Sequence, residues 1–430
     1  MVVTQVVGVG IFLTPATMMR TVGSARAALV IWAVMGALSI AGAICYAELT
    51  TRFPKAGGGY IFLREGFGAR SAFVFGWMAL LVMDPGITAA LGIGLAQYLL
   101  AALGAWPDLV SVVAVTTTIA FGLLTLAGIA ASTAVLRWTA IAKLAIVAIL
   151  VGAAAFRLGG AASAERNVAS GSGAIGIEAL AASVIAAFFA FGGWWELGRM
   201  TEEVESPRRT MPRALIGGLV LVTAIYASVS IAYVLSAPGR IEGTDEAFVV
   251  AIGAALFGDT AGRLLAVMVA VAVSGSLAAT LLAAPRMYLA MARDGLFPAR
   301  LAHFNERRGA SPALTLIQVS LACLLILLGS FEQILGYFVP VTVFFLALSA
   351  AAVLRLPRPP ADNRVFRTPL HPLPILLFLL LIATVLALFM VGQPTQTLLG
   401  AAVAAAGVPI SFLVIPGVAP SAVEIRRRLG

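Results

Sequence analysis

Charge is what this chain has least of. Its 28 Lys and Arg and 19 Asp and Glu amount to 11% of 430 residues, where a soluble domain carries about 25%. That shortage excludes a solvated surface of ordinary extent, and no stretch remains in which a soluble domain fits. Cysteine and histidine are nearly missing as well, with two of each. Cys45 and Cys323 lie inside apolar runs, so a disulfide framework is excluded and both read as small core residues. His303 and His371 stand in polar connectors without Cys, Asp or Glu at metal-ligand spacing, and neither a metal centre nor a cofactor is expected. There is no Ser, His and Asp arrangement, and Gly57-Gly58-Gly59 lacks the Gly-Lys-Ser continuation of a phosphate loop. Enzyme chemistry is therefore not expected.

Long apolar runs are what the chain has instead. It is 61% hydrophobic with a mean hydropathy of +1.03, and about 20 consecutive apolar residues suffice for a helix to cross the hydrocarbon. Spans are predicted at 1–19, 26–48, 70–102, 110–131, 134–156, 178–200, 213–236, 262–292, 311–330, 333–355, 374–392 and 396–416. The fold class expected is an all-α polytopic membrane protein of about 12 transmembrane helices, with 1–430 forming a single membrane domain.

The net charge of +9 raises nucleic acid as a partner, but the arginines fall in short connectors and no folded basic domain presents them. Topology accounts for them better. With the N-terminus in the cytoplasm, 20 of the 28 Lys and Arg lie on the cytoplasmic side, Arg199 among them, and 6 on the other; Lys143 and Arg286 fall inside spans. The positive-inside rule then places both termini in the cytoplasm. The setting expected is a bacterial cytoplasmic membrane.

Two spans are interrupted by glycine at mid-length, at Val7-Gly8-Val9-Gly10-Ile11-Phe12 and at Phe191-Gly192-Gly193-Trp194-Trp195. A break inside hydrocarbon is tolerated only where the freed N–H and C=O groups face protein, water or ligand. A matched pair of breaks therefore points to a transported substrate bound near the midplane. Five spans separate the starts of the two broken helices, so the repeats insert with opposite orientation. Residues 1–156 form the first repeat, 178–356 its inverted counterpart, and 374–416 two further helices. Seven residues before Gly8 supply about 10 Å of helix, against about 15 Å for half the hydrocarbon. A shortened first half-helix, or further residues upstream of Met1, is expected.

The order of motifs resembles the amino acid–polyamine–organocation superfamily of amino acid permeases. They are Gly8-Val9-Gly10-Ile11-Phe12, Tyr46-Ala47-Glu48-Leu49, Phe53-Pro54-Lys55-Ala56-Gly57-Gly58-Gly59-Tyr60, Phe191-Gly192-Gly193-Trp194, Thr201-Glu202-Glu203-Val204-Glu205-Ser206-Pro207 and Ala292-Arg293-Asp294-Gly295-Leu296-Phe297-Pro298. The resemblance covers the whole chain and implies the fold of the bacterial leucine transporter, with helices 1 and 6 broken. It implies alternating-access transport of an amino acid across the bilayer. Val9 stands where the family often has serine, which removes a hydroxyl contact and leaves the backbone donors.

The ends of broken helices suit the two ends of an α-amino acid. N–H groups and the positive dipole end near Gly10 and Ile11 suit a carboxylate, and free C=O groups near Val6 and Phe189 suit an ammonium. The candidate binding residues are Val6, Val7, Gly8, Val9, Gly10 and Ile11 with Phe189, Phe191, Gly192, Gly193 and Trp194. Of the aromatics, Phe191 and Trp194 are expected to wall or gate the pocket; close helix packing is the alternative reading of the glycines. Lys143, near mid-depth, is too costly to face lipid and must face the interior. The resemblance implies that its ammonium stands in for the Na⁺ of sodium-coupled relatives, beside the first break and Ser274. Coupling by protons or counter-exchange follows, unless the lysine is a structural tether. Asp84, in Met83-Asp84-Pro85-Gly86, is a charge or proton site or a paired acid at a helix bend. Glu196 has the same options, or a local pair with Arg199. Glu196 or Asp84 facing the substrate suits a cationic amino acid or polyamine antiporter instead, and a non-transporting sensor of the same fold is the remaining alternative. The charged run from Glu202 to Arg213 reads as a gating network or a solvated loop.

The topology is directly testable. A fluorescent protein fused at either terminus is expected to fluoresce, and alkaline phosphatase at either is expected to be inactive, because both reporters then lie in the cytoplasm.

Overall fold

In the computed structural model the residues described are 6, 9–104, 107–127, 138–139, 141–143, 145–146, 148–149, 152, 175–236, 250, 254, 258–298, 300–301, 311–359 and 365–415. Every regular element among them is helical. The first three spans give α1 (Val9–Val22), α2 (Ala25–Arg52), α3 (Gly59–Phe67), α4 (Ala69–Met78), a π-helical turn at Ala79–Met83, and α5 (Asp84–Leu103). After α6 (Val110–Ala127) come α7 (Ile177–Ala190), a 3₁₀ segment at Trp194–Glu203, α8 (Pro207–Pro212) and α9 (Gly218–Ser236). The remainder is α10 (Asp259–Arg293), α11 (Pro312–Leu328), α12 (Phe331–Arg355), α13 (Leu373–Gly392) and α14 (Pro394–Val414). Among the described residues nine helical runs are long and apolar enough to cross a bilayer, and α11 is a shorter apolar helix. The fifth expected span lies mostly outside the described residues, as do Val7 and Gly8 of the first break.

Among the described residues span positions agree with the sequence to within a few residues, the sixth-span interruption included, and two local features do not. α3 fills a connector read as loop, and its Tyr60, Ile61, Phe62 and Leu63 are buried. The third span deforms before Asp84 rather than at Pro85-Gly86, because the π-helical turn takes up the strain one turn early. The sixth span is not one helix. α7 stops at Ala190, Gly193 adopts a left-handed φ of 97°, and the chain resumes as the tighter 3₁₀ segment. A φ of that sign suits glycine and few other residues.

α5 and α10 run together at the centre, α1 lies on α7, and α13 packs across α2 and α7. The outward faces of α13 and α14 carry exposed Leu373, Leu376, Leu380, Leu398 and Leu413, the composition lipid requires. Two glycine contacts set the centre. A Cβ on Gly10 would lie 2.4 Å from Ala190 Cα, so the first helix touches the sixth at its break. Gly58, at φ 53°, sits against the Arg199 backbone, and its Cβ would lie 3.0 Å from Arg199 N. The Gly57 N–H donates to Arg199 O at 3.4 Å. The triple glycine thus lets α3 dock on the 3₁₀ segment.

Because the obstruction at Gly10 is backbone, Gly10→Ala is expected to destabilise by about 1–3 kcal/mol. Gly217→Ala, whose Cβ would meet nothing within 4 Å, should change stability by less than about 0.5 kcal/mol. Thermal unfolding of the two purified variants checks both.

Candidate functional site

Where the sixth helix breaks, its carbonyls need partners. Phe189 O accepts from the Gly192 N–H at 2.9 Å, so the turn itself uses the carbonyl expected to meet an ammonium. The Tyr226 hydroxyl of α9 lies 2.8 Å from Ala190 O and 2.9 Å from Val6 O, joining the first and sixth spans through one phenol. On the far side of α1, the Tyr98 hydroxyl donates to Phe12 O at 2.5 Å, and Thr14 Oγ1 donates to Gly10 O at 2.8 Å.

A cavity of about 50 Å³ opens beside these carbonyls, between α1, α5, α7, α10 and α12. Val6 and Gly10 border it from the first span, and Phe189, Gly192, Gly193, Trp195 and Glu196 from the sixth. Ser276 and Thr280 of α10 and Phe338 and Thr342 of α12 complete the wall. The site residues read from the sequence are thus brought together in part. Ile11 is buried without bordering the cavity, and the Val9 side chain lies outside the described residues, with Val7 and Gly8.

Phe191 and Trp194 are behind the cavity, contrary to expectation. Phe191 packs against Trp32 and Tyr226 at ring-centroid distances of 5.8 and 5.0 Å. Trp194 meets Tyr46 at 5.0 Å. The cavity-lining positions go to Phe189 and Trp195, with Phe189 about 200° around the helix from Phe191. Phe189 in turn lies edge-on to Phe338, with centroids 6.2 Å apart.

Lys143 is buried, and its Nζ donates to Ser276 Oγ at 2.8 Å. Ser274, the expected neighbour, directs its hydroxyl to Val271 O at 2.7 Å. Two residues along a helix differ by about 200°, so of the two serines Ser276 is the one between lysine and cavity. Gly275 permits the approach, since a Cβ there would lie 2.0 Å from Thr139 Oγ1, one turn before Lys143.

Asp84 does not border the cavity. Its carboxylate receives Arg199 Nη1 and Nη2 at 3.2 and 3.0 Å and the Tyr288 hydroxyl at 2.7 Å. Arg199 Nε reaches Glu196 Oε2 at 2.9 Å. Arg199 is therefore not a connector arginine; its side chain is 5% exposed and clamps the 3₁₀ segment to α5. One guanidinium serves two carboxylates, leaving an excess negative charge whose cavity-facing member is Glu196. Buried charges are retained only when paired in this way.

Farther along, Glu202 Oε2 accepts from the Ala56 N–H at 3.2 Å. Arg286 pairs with Glu203, and Arg64 with Asp294 at 2.6 Å. The Tyr60 hydroxyl also donates to Asp294, at 2.8 Å. Burial first, and then that hydrogen bond, hold the Tyr60 hydroxyl above its usual range, so it stays a donor. Within the charged run Glu202 and Glu203 are thus tied to the α2–α3 connector and to α10, whereas Glu205, Arg208, Arg209 and Arg213 are exposed.

Sequence comparison places this geometry among known proteins. The family described as amino acid permease matches residues 1–412. A serine/threonine exchanger of Bacillus subtilis is 26% identical over 96% of this chain and 94% of its own. The human cystine/glutamate transporter is 27% identical over 96% and 83%, and the rat large neutral amino acids transporter small subunit 2 is 29% identical over 96% and 78%. With the helical spans, the sixth-span break and the family match over nearly its whole length, the chain belongs to the amino acid permease family.

Proposed function

We propose that the protein moves neutral amino acids across the cytoplasmic membrane by alternating access, coupled to protons or to counter-exchange and independent of sodium. The observation that carries this reading is the convergence of Val6, Gly10, Ala190 and Gly192 on one cavity. The substrate ammonium lies against the Val6 and Ala190 carbonyls, and its carboxylate against the start of α1 at Gly10 and Ile11. A carbonyl has two lone pairs, so the Tyr226 hydrogen bond leaves one acceptor site on whichever carbonyl receives it. The names of the relatives support amino acids as cargo: serine and threonine for the Bacillus subtilis exchanger, large neutral amino acids for the rat protein. Sodium independence rests on Lys143, whose Nζ donates to Ser276 Oγ beside the cavity and supplies a group of the protein's own where a metal cation would otherwise sit.

In the proposed cycle the 1–156 and 178–356 repeats are inverted copies, and the first and sixth spans rock against the rest. The Arg199 clamp to Asp84 holds the lower half of the sixth span to α5, so it must loosen when that side opens. Glu196 favours a second reading, a carrier of cationic amino acids, because its carboxyl group borders the cavity and shares its one guanidinium partner with Asp84.

Counterflow of radiolabelled serine, leucine, glutamate and arginine into proteoliposomes decides between them. Uptake of serine or leucine, unchanged when sodium is replaced by choline, is expected. Lys143→Ala should lower it at least tenfold, because the Nζ donor at Ser276 is gone. Uptake confined to arginine would establish the second reading, and binding without flux would make the protein a sensor.

A further inference from the structure

At the end of the molecule where α2 and α12 finish and α13 begins lies a second cavity, of about 370 Å³. It is separate from the central one and polar. Glu48, Arg358, Arg367, Thr368, Leu370 and His371 border it. Glu48 is already satisfied: Oε1 meets Arg52 at 3.1 Å and Oε2 accepts the Thr368 N–H at 2.8 Å. Among the described residues no carboxylate neutralises the two bordering arginines. Arg358 donates to His371 O at 3.3 Å and Arg367 to Pro359 O. The Thr368 hydroxyl is buried without a hydrogen-bond partner, in a residue only 6% exposed. A buried hydroxyl left unpaired is costly, and beside two uncompensated guanidinium groups it marks a place built for an anionic acceptor.

The cavity also has an apolar side. Leu370 borders it and is 79% exposed. From there Leu373, Leu376, Leu377 and Leu380 continue along one outward stripe of α13, at helical i, i+3, i+4 and i+7 spacing. A phosphate between the arginines thus has a lipid-facing leucine track running directly away from it. That combination fits an amphiphile, whereas a free anion would use only the polar half.

We propose that this cavity binds the phosphate headgroup of an anionic phospholipid of the cytoplasmic leaflet, with Arg358 and Arg367 as the charge partners, Thr368 Oγ as a hydrogen-bond donor, and the acyl chains along the α13 leucines. Each arginine near a membrane surface contributes enough to favour anionic over zwitterionic lipid, and two together predict a preference of about thirtyfold. The proposal rests on the cytoplasmic placement of the α12–α13 connector and not on the transport reading.

Thermal stabilisation of the full-length protein in detergent, titrated with phosphatidylglycerol or phosphatidylcholine, tests it. Half-maximal stabilisation is expected at about thirtyfold less phosphatidylglycerol. An Arg358→Gln and Arg367→Gln double variant should lose most of that preference, whereas Arg213→Gln, an exposed arginine elsewhere, should keep it. Equal response of the native protein to both lipids would overturn the proposal even if the double variant failed to fold. Loss of the preference in Arg213→Gln, or equal stabilisation by inorganic phosphate alone, would overturn it as well.

Discussion

The structure depends on one constraint: a helix interrupted inside hydrocarbon must find partners for its freed carbonyls. Here the partner is a single phenol. Tyr226 stands between Val6 O and Ala190 O, so the first and sixth spans share one hydrogen-bond donor. Gly10 can lie against Ala190 because it lacks a Cβ, and the cavity is the space this contact leaves beside α5, α10 and α12. Shape and polarity of the proposed site both follow from how the breaks are closed.

Charge is placed with the same economy. Arg199 answers Asp84 with two hydrogen bonds and Glu196 with a third, and Lys143 finds Ser276. The two sets lie on different walls, the acids toward the sixth span and the lysine behind α10. A zwitterionic ligand between them would meet backbone dipoles first and side-chain charge second. The 3₁₀ segment carries both Glu196 and Arg199 and is held by Gly57 and Gly58 of the α2–α3 connector. Any movement of that segment is therefore felt at the cavity and at the Glu202 and Asp294 contacts together.

Much of this was legible in the chain. Scarce charge and repeated apolar runs yielded the helical membrane class and most span limits, because lipid imposes length and composition directly. The sixth-span break was visible as Gly192-Gly193, and Lys143 as a charge that must face the interior. Which neighbour each group chose was not legible. Phe191 and Phe189 differ by two residues, and the rotation of α7 against its neighbours decides which faces the cavity. Ser274 and Ser276 are likewise told apart only by the rotation of α10. Arg199 looked like a loop arginine because its partner, Asp84, is 115 residues away in sequence. Tyr226 carried a usable signal that went unread: a phenol in the middle of an apolar span needs a hydrogen-bond partner, and the sixth-span break was the obvious donor of one.

The central claim is that the proposed substrate occupies the space between the two breaks, against Phe189 and not Phe191. It is tested most directly by substrate protection of single cysteines at these positions, with Cys45 and Cys323 replaced. The account predicts that a transported amino acid slows thiol labelling of Phe189→Cys and leaves Phe191→Cys unaffected. Protection at Phe191→Cys alone, or at neither position while transport persists, would contradict it.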